Sequence, residues 1–188
     1  MKSEILYDQY RITGKWSSHV SLWLLFKKRN FRKIYYFRKL QETHGITHMI
    51  FHILSYLLQK KISLEIPRTI KLGKGFNILH PYSITINGSS VIGDNFTILK
   101  GATIGESKTG KIGAPVIGNN VYVGLNSTVV GGIKIGNDVM IAANTFVNFD
   151  VPDGALVLGS PGVIHKRHKA SHPYISNSIL DIETERCK

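Results

Sequence analysis

The chain has 188 residues, of which 43% are hydrophobic and 19% charged, and its formal net charge is +12. This length suits one domain or a domain and a half, with enough apolar residues for a buried core. The single cysteine, Cys187, excludes an internal disulfide and agrees with a reducing compartment. The first residues lack the apolar core of a signal peptide, and no apolar run approaches the ~18 residues that span a bilayer. We therefore expect a cytoplasmic protein.

Residues 1–62 form the first predicted region, which is helical and strongly basic. Residues 1–64 hold 12 Lys and Arg against 3 Asp and Glu, so most of the net charge lies here. An apolar face alternates with a basic face of seven residues: Lys27, Lys28, Arg29, Arg32, Lys33, Arg38 and Lys39. Two interpretations are open. The region is a helical cap with a solvated basic face, packed on the rest of the molecule and on neighbouring subunits, or it rests on an anionic membrane surface.

Two further interpretations of this region are weaker. His44, His48 and His52 have a spacing that could place three imidazoles on one helix face, but no carboxylate or cysteine joins them, so we expect no metal. Basic residues interleaved with aromatics also suggest nucleic-acid binding. Because no RNA signature, zinc-finger spacing or recognition-helix motif accompanies them, we expect no nucleic-acid partner.

The segment from residue 61 to residue 82 changes character, since Pro67 and two spaced glycines exclude a helix. Two of its residues could carry chemistry. His80 ends a short apolar run, and Glu65 precedes it by fifteen positions. This spacing is close to the eighteen residues of a three-hexad coil, so Glu65 is predicted to stack one layer from His80.

A six-residue repeat dominates the segment from residue 91 to residue 152. Its aliphatic positions are Ile92, Ile98, Ile104, Ile117, Val123, Val129, Ile135, Ile141 and Val147. Such a short fixed period indicates a β-helix in which each hexad forms one strand and one turn. Hairpins would need more turns of the Asn-Gly type, and Asn87-Gly88 is the single example.

Smaller residues are expected to shape the turns of this β-helix. Glycines directly behind five of the aliphatic positions are predicted to supply a positive φ. They are Gly93, Gly105, Gly118, Gly124 and Gly136. Ala102, Ser127 and Ala143 are expected in crowded interior corners.

The hexads are interrupted between Ile104 and Val116 by GESKTGKIGAP, which predicts an extruded loop. Such a loop costs little closure entropy, and loops often carry function. Its glycines and lysines could cradle a phosphate, but they lack P-loop spacing. After Pro152 the repeat ends, and Gly159-Ser160-Pro161-Gly162 precedes a basic cluster. We divide the chain into a helical region at 1–62, a β-helix at 63–168 and a loose C-terminal tail at 169–188.

The repeated hexads, the extruded loop and the closing Gly-Ser-Pro-Gly followed by basic residues resemble the hexapeptide-repeat acyltransferases. The nearest branch is serine acetyltransferase-like and includes O-acetyltransferases of surface polysaccharides. The resemblance covers about residues 62–168. It implies a left-handed parallel β-helix, a homotrimer that pairs into hexamers in some members, and acetyl-CoA sites between adjacent prisms.

The resemblance also implies roles for particular residues. His80 matches the catalytic histidine, which would take the proton from an acceptor hydroxyl, and Glu65 matches its acidic partner, usually Asp. A backbone N–H near the loop, at Gly105, would stabilise the oxyanion. The coenzyme would meet small residues on late coils and cations behind them: Ala142, Ala143, Gly159, Lys166 and Arg167.

Departures from the family pattern bear on the acceptor. Serine acetyltransferases carry Asp before the catalytic histidine and Arg-His at the end of the loop, whereas this chain has Leu79 and Gly113-Ala114-Pro115. The charged groups of an amino acid thus lose their expected anchors. We expect a saccharide acceptor, with L-serine as the alternative. The basic helices agree with a reaction close to a membrane that presents lipid-linked sugars.

Two other classes of protein share parts of this pattern. A trimeric β-solenoid scaffold without catalysis would not need His80 and Glu65 at the family spacing. A metal-dependent enzyme of the γ-carbonic anhydrase type needs three converging histidines, but His80 is followed by no other histidine until His165. We therefore expect acetyl-CoA as co-substrate and no metal.

Overall fold

The computed structural model describes residues 2–59, 63–180 and 182. In that part of the chain, four α-helices precede fifteen short β-strands and a 3-10 turn. The helices are α1 (Lys2–Thr13), α2 (Leu22–Lys27), α3 (Arg29–Glu42) and α4 (Gly45–Gln59). The strands are β1 (Leu64–Glu65), β2 (Lys71–Leu72), β3 (Asn77–Leu79), β4 (Ile84–Ile86), β5 (Val91–Ile92), β6 (Thr97–Leu99), β7 (Thr103–Gly105), β8 (Val116–Ile117), β9 (Tyr122–Val123), β10 (Thr128–Val130), β11 (Lys134–Ile135), β12 (Met140–Ile141), β13 (Phe146–Val147), β14 (Leu156–Leu158) and β15 (Val163–His165); the 3-10 turn is His172–Tyr174.

The strands form three sheets, which are the three faces of a left-handed parallel β-helix. Sheet A has the order β1-β4-β7-β10-β13, and sheet B has the order β2-β5-β8-β11. Sheet C runs β3-β6-β9-β12-β14 and ends with β15, which turns back antiparallel to β14. Successive strands pass from A to B to C and return one layer higher. The predicted fold class is confirmed, including its exception to right-handed crossovers.

The predicted aliphatic positions fill the prism. All nine are at most 3% exposed. Register pairing stacks them in three columns: Ile92, Ile117 and Ile135; Ile98, Val123 and Ile141; Ile104, Val129 and Val147. Burying each such side chain contributes roughly 1.5–3 kcal/mol. The period of six therefore reflects a continuous apolar core.

The expected reason for the glycines is wrong. Gly93, Gly105, Gly118, Gly124 and Gly136 all lack a positive φ. A Cβ on Gly124 would lie 2.6 Å from the backbone nitrogen of Ala143, so for this residue the constraint is the close approach of the next coil. On sheets B and C, the positive φ falls three residues behind the interior aliphatic position, at values between 55° and 58° for the non-glycine residues. Residues with that conformation include Asn95, Asn120, Asn126, Asp138 and Asn144. Asn and Asp tolerate the left-handed region better than most side chains.

Two coils are longer than the regular eighteen residues, and the last coil is two residues shorter, since Met140 pairs with Leu156. Thr85 pairs with Thr103, eighteen positions later, but Leu64 pairs with Ile84, twenty positions later. The two additional residues fall at the corner between β3 and β4, where His80 lies. Val91 pairs with Val116, twenty-five positions later, which accommodates the extruded loop that the sequence predicted.

The helices pack against the first coils, as the helical-cap interpretation expected, but the basic face is only partly solvated. Lys33 is 5% exposed and Arg38 is 1% exposed. Arg38 donates to the backbone oxygens of Leu72 at 2.9 Å and Gly73 at 2.5 Å, and it pairs with Asp8. The prediction of a solvated face is wrong for these two residues. The Arg38 cation holds α3 against β2 and α1, whereas Lys33 is enclosed between α3 and the first coil.

The described part of the C-terminal tail is packed, in contrast to the expected loose tail. Ile175, Ile179 and Ile182 are buried. The backbone N–H of Ile179 donates to Asn95 at 3.1 Å, and the Arg11 guanidinium donates to the carbonyl oxygen of Ser176. Cys187 and the predicted boundary at residue 62 lie outside the described residues.

Two helices expose apolar side chains. On α2, Phe26 is 82% exposed, and on α4, Ile46 is 76% exposed, with Met49, Ile50 and Ile53 also in solvent. Within residues 2–59, 63–180 and 182, none of the helices is both long and apolar enough to cross a bilayer.

Candidate active site

His80 stands on the edge of the prism between sheets C and A. Strand β3 ends at Leu79, and the two additional residues of this coil widen the corner that follows. His80 has φ 56°, and its carbonyl oxygen accepts from the N–H of Tyr82 at 2.7 Å. Histidine is among the residues enriched at positive φ, which nevertheless costs free energy and often marks functional positions. The corner presents an exposed imidazole to solvent.

Glu65 lies on sheet A, one layer from the strand that follows His80. It pairs in register with Thr85, whose hydroxyl donates to its Oε2 at 3.5 Å. Both Glu65 and His80 are exposed. Among the described residues no hydrogen bond joins the carboxylate to the imidazole. The role of Glu65 as the partner of His80 therefore stays a prediction.

Three of the predicted coenzyme residues share the edge of His80. Ala142 and Ala143 follow β12, and Gly159 follows β14, so all three lie where sheet C turns towards sheet A. Ala143 is exposed, contrary to its expected place inside the prism. Ala143 is three layers from His80 along this edge, or about 14 Å at the usual strand spacing.

The other predicted residues lie elsewhere. Gly105 ends β7 at the far side of sheet A, at the corner that carries the loop. Lys166 and Arg167 follow β15, which runs back across sheet C, so they lie at the opposite side of that sheet from Gly159. The single chain does not bring these three residues to His80.

The extruded loop is held by hydrogen bonds and one ion pair. Ser107 and Gly113 exchange backbone hydrogen bonds of 2.9 and 3.0 Å. Lys111 Nζ lies 2.6 Å from the Asp150 carboxylate, which also accepts from the backbone N–H of Lys134 at 2.8 Å. The hydrogen bonds from Lys111 and Lys134 lower the pKa of Asp150 below its usual value. The loop is thus anchored to a later coil.

Two cations near the His80 corner were missed in the sequence. Lys100 is exposed, and its backbone N–H donates to the carbonyl oxygen of Leu79 at 3.2 Å, so it lies one layer from His80. Arg29, at the start of α3, donates to the Tyr82 hydroxyl at 2.8 Å. The hexad register could have placed Lys100, but the contact between α3 and this corner has no local sequence signal.

Comparison with known proteins identifies the family. The profile described as bacterial transferase hexapeptide (six repeats) matches residues 114–148. The serine acetyltransferase of Helicobacter pylori is 38% identical over 116 residues, which are 60% of this chain and 67% of the relative. This chain belongs to the serine acetyltransferase branch of the hexapeptide-repeat transferases. The resemblance seen in the sequence is confirmed.

The chain is also similar to two further members of the branch. The serine acetyltransferase of Synechococcus elongatus is 32% identical over 152 residues, which are 74% of this chain and 62% of the relative. The crystal structure of the Neisseria gonorrhoeae serine acetyltransferase in complex with serine superposes with a TM-score of 0.67 and 27% identity, over 88% of this chain and 69% of that one. The chain thus spans about two thirds of the length of these relatives.

Proposed function

We propose that the chain is an acetyl-CoA-dependent O-acetyltransferase of the serine acetyltransferase type, with His80 as its general base. The observation that carries this proposal is the exposed imidazole of His80 on the same edge as Ala142, Ala143 and Gly159. This arrangement suits an extended thioester substrate whose acyl end lies near His80. The names of the relatives agree with acetyl transfer.

In this mechanism a nitrogen of His80 removes the proton of the acceptor hydroxyl as its oxygen attacks the thioester carbonyl carbon. Glu65 would orient the ring and stabilise the imidazolium. A backbone N–H at or near Gly105 of an adjacent chain would donate to the developing oxyanion. Collapse of the tetrahedral intermediate breaks the carbon–sulfur bond, and the proton on His80 passes to the departing sulfur. Ester and free thiol are the products.

L-serine is the acceptor that we propose. The relatives reported above favour this alternative over the saccharide acceptor that Leu79 and Gly113-Ala114-Pro115 suggested. Lys100 and Arg29 offer a further argument, because either cation could pair with a carboxylate near His80 and so replace the absent family anchors. A surface-polysaccharide acceptor has no support among these relatives and rests on the absent anchors alone.

Assembly and location also belong to this proposal. His80 and the extruded loop lie at different corners of one prism, which favours a homotrimer with sites between chains, and pairing into hexamers through the helices is a further prediction. Lys166 and Arg167 would meet the coenzyme phosphates from an adjacent chain. Peripheral membrane contact through the exposed apolar residues of α2 and α4 stays a prediction, and a cytoplasmic location is proposed from the branch.

Release of free CoA from acetyl-CoA tests the function, with L-serine and a panel of sugars offered in parallel to the purified full-length protein. We expect release with L-serine. His80→Ala should lower turnover by about 10²–10⁴-fold, since general-base catalysis supplies a factor of that size. Oligomer mass and CoA binding should not change.

His44→Ala is the matched control, because it removes an exposed histidine from the helical region. It should keep full turnover. Release with sugars alone would overturn the serine acceptor. If no acceptor gave CoA release, the enzymatic role would be contradicted and the scaffold favoured. Full turnover by His80→Ala would contradict the role of His80 as general base.

A further inference from the structure

A cleft lies between the helices and the first coil, and neither His80 nor Glu65 is among the residues that line it. Its outer chamber has a volume of about 350 Å³ and is lined by His48, His52 and Arg68, among other residues. A smaller inner chamber of about 30 Å³ reaches Lys33. Leu40, Ser55 and Ile66 line both chambers, so the two are adjacent. We call this feature the basic cleft.

The charges of the basic cleft are all of one sign. Among the described residues that line the two chambers there is no Asp or Glu, whereas Lys33 and Arg68 contribute cationic groups and His48 and His52 contribute imidazoles. Lys39 and Glu42 of the same helix pair with each other at 3.0 Å. The potential in the cleft therefore favours an anion.

Two polar groups in the basic cleft lack partners. Lys33 Nζ and His48 Nδ1 are buried, and neither has a hydrogen-bond partner in the described part of the chain. Burial, with a further contribution from Arg32, lowers the pKa of Lys33 to about 8. An ammonium group that is buried without a partner is costly, and buried polar groups in native proteins are nearly always paired. These two groups point to a ligand that is acceptor-rich and negatively charged.

We propose that the basic cleft binds a phosphate group, held by His48, His52 and Arg68 in the outer chamber and supported by the Lys33 ammonium from the inner one. A phosphate offers enough acceptor oxygens for several cations at once, and Arg recognises it with a planar pair of donors. The inference does not depend on acetyl transfer. The phosphate could belong to a free phosphomonoester or to a lipid head group, since α4 exposes apolar side chains such as Ile53 and Leu57.

The first experiment titrates inorganic phosphate into the full-length oligomer and follows ³¹P line broadening and melting temperature, with NaCl of matched ionic strength as reference. We expect saturable binding and a rise in melting temperature beyond that given by NaCl. Lys33→Met and Arg68→Gln should each weaken binding about tenfold or more, since each removes a charge-assisted hydrogen bond. Lys15→Met, which removes an exposed lysine far along the chain from the cleft residues, should bind as wild type does.

Arg68→Gln alters an exposed residue and keeps the test valid if Lys33→Met does not fold. The proposal would be overturned if phosphate raised the melting temperature equally in every variant, or if it raised the melting temperature no more than NaCl does. A changed oligomer mass in Arg68→Gln would also overturn it, because the cleft would then be a contact with a second copy.

The second experiment identifies the source of the phosphate. Vesicles of phosphatidylcholine with phosphatidic acid are sedimented with the protein and compared with phosphatidylcholine alone. Binding to phosphatidic acid that Lys33→Met and Arg68→Gln abolish would support a lipid head group. Binding of inorganic phosphate without vesicle binding would support a free phosphomonoester, and loss of both would contradict the proposal.

Discussion

The Arg38 side chain is the residue that joins the helices to the β-helix. Its Nε donates to Asp8 at 2.9 Å, Nη1 donates to Glu4 at 3.2 Å, and two more bonds reach backbone oxygens of β2 and its turn. Asp8 also accepts from the N–H of Phe76 at 2.7 Å. Although burial opposes the charged form, Asp8 and Glu4 hold the pKa of Arg38 above its usual value. The two ion pairs of Arg38 and its backbone bonds thus link α1, α3 and the first coil.

Replacing one partner of the pair between Arg38 and Asp8 should destabilise the protein strongly. Arg38→Met leaves the buried Asp8 carboxylate without its cation, which costs about 3–5 kcal/mol in comparable sites. Asp8→Leu should have a similar effect on melting temperature at fixed protein concentration. The double variant should melt closer to wild type than the sum of the single changes predicts, because Glu4, the carboxylate that remains, is partly exposed and no fully buried charge is left unpaired.

Additive losses in the double variant would contradict this account. Lys28→Met is the control for loss of a helix cation, since Lys28 is exposed. It should leave the melting temperature nearly unchanged.

Residue-scale prediction from the sequence succeeded where burial alone selects the side chain. Ile98 and Val123 could be placed because an interior position of a regular coil accepts only a compact aliphatic group. Asn120 was missed, because its conformation and the hydrogen bond that its side-chain amide donates to Asp138 at 3.0 Å depend on the stacking of coils. Arg38 was assigned to solvent because its buried partner, Asp8, lies thirty residues away in another helix. His80 was found through the family resemblance and not through its spacing alone.

At the scale of elements, the extruded loop is a hairpin that an ion pair of Lys111 holds against a later coil. Lys111 pairs with Asp150, and Gly132 donates from its backbone to Lys111 at 2.8 Å. The phase of the hexads predicted where this loop leaves the coil. The ion pair was not predictable, since it joins residues thirty-nine positions apart, on different coils.

The anchor of the loop should depend on pH in a defined direction. Because the pKa of Asp150 is lowered from 3.8 in the folded protein, its stabilising effect is present above 3.8 and is lost as the pH falls through the lowered value. Asp150→Asn should therefore speed amide hydrogen exchange across residues 106–112 at pH 7 and pH 5. The difference from wild type should vanish at a pH below the lowered pKa.

Lys108→Met serves as the control, because Lys108 is an exposed loop lysine outside the ion pair. A wild-type loop that exchanges as fast as the Asp150→Asn loop at pH 7 would show that the ion pair does not hold it.

At the scale of the molecule, His80 and the extruded loop lie at separate corners of one prism. His80 lies at the corner between sheets C and A, and the loop leaves from the corner between sheets A and B. A whole face of the prism lies between them. If both contribute to acetyl transfer, each site must combine His80 of one chain with the loop of its neighbour, as a cyclic trimer allows.

Mixing two inactive variants should therefore restore activity. One variant is His80→Ala, and the other replaces residues 106–112 with two glycines. Coexpressed at equal levels, they form interfaces at random, and in about one quarter of these an intact His80 faces an intact loop from the next chain. We expect about a quarter of wild-type CoA release from the mixture, and almost none from separately assembled variants combined without exchange of subunits. If His80 and the loop acted within one chain, no mixture would contain an intact site, because every chain carries one defect. Absence of activity in coexpressed hetero-oligomers of confirmed mass would thus place the whole reaction on a single prism.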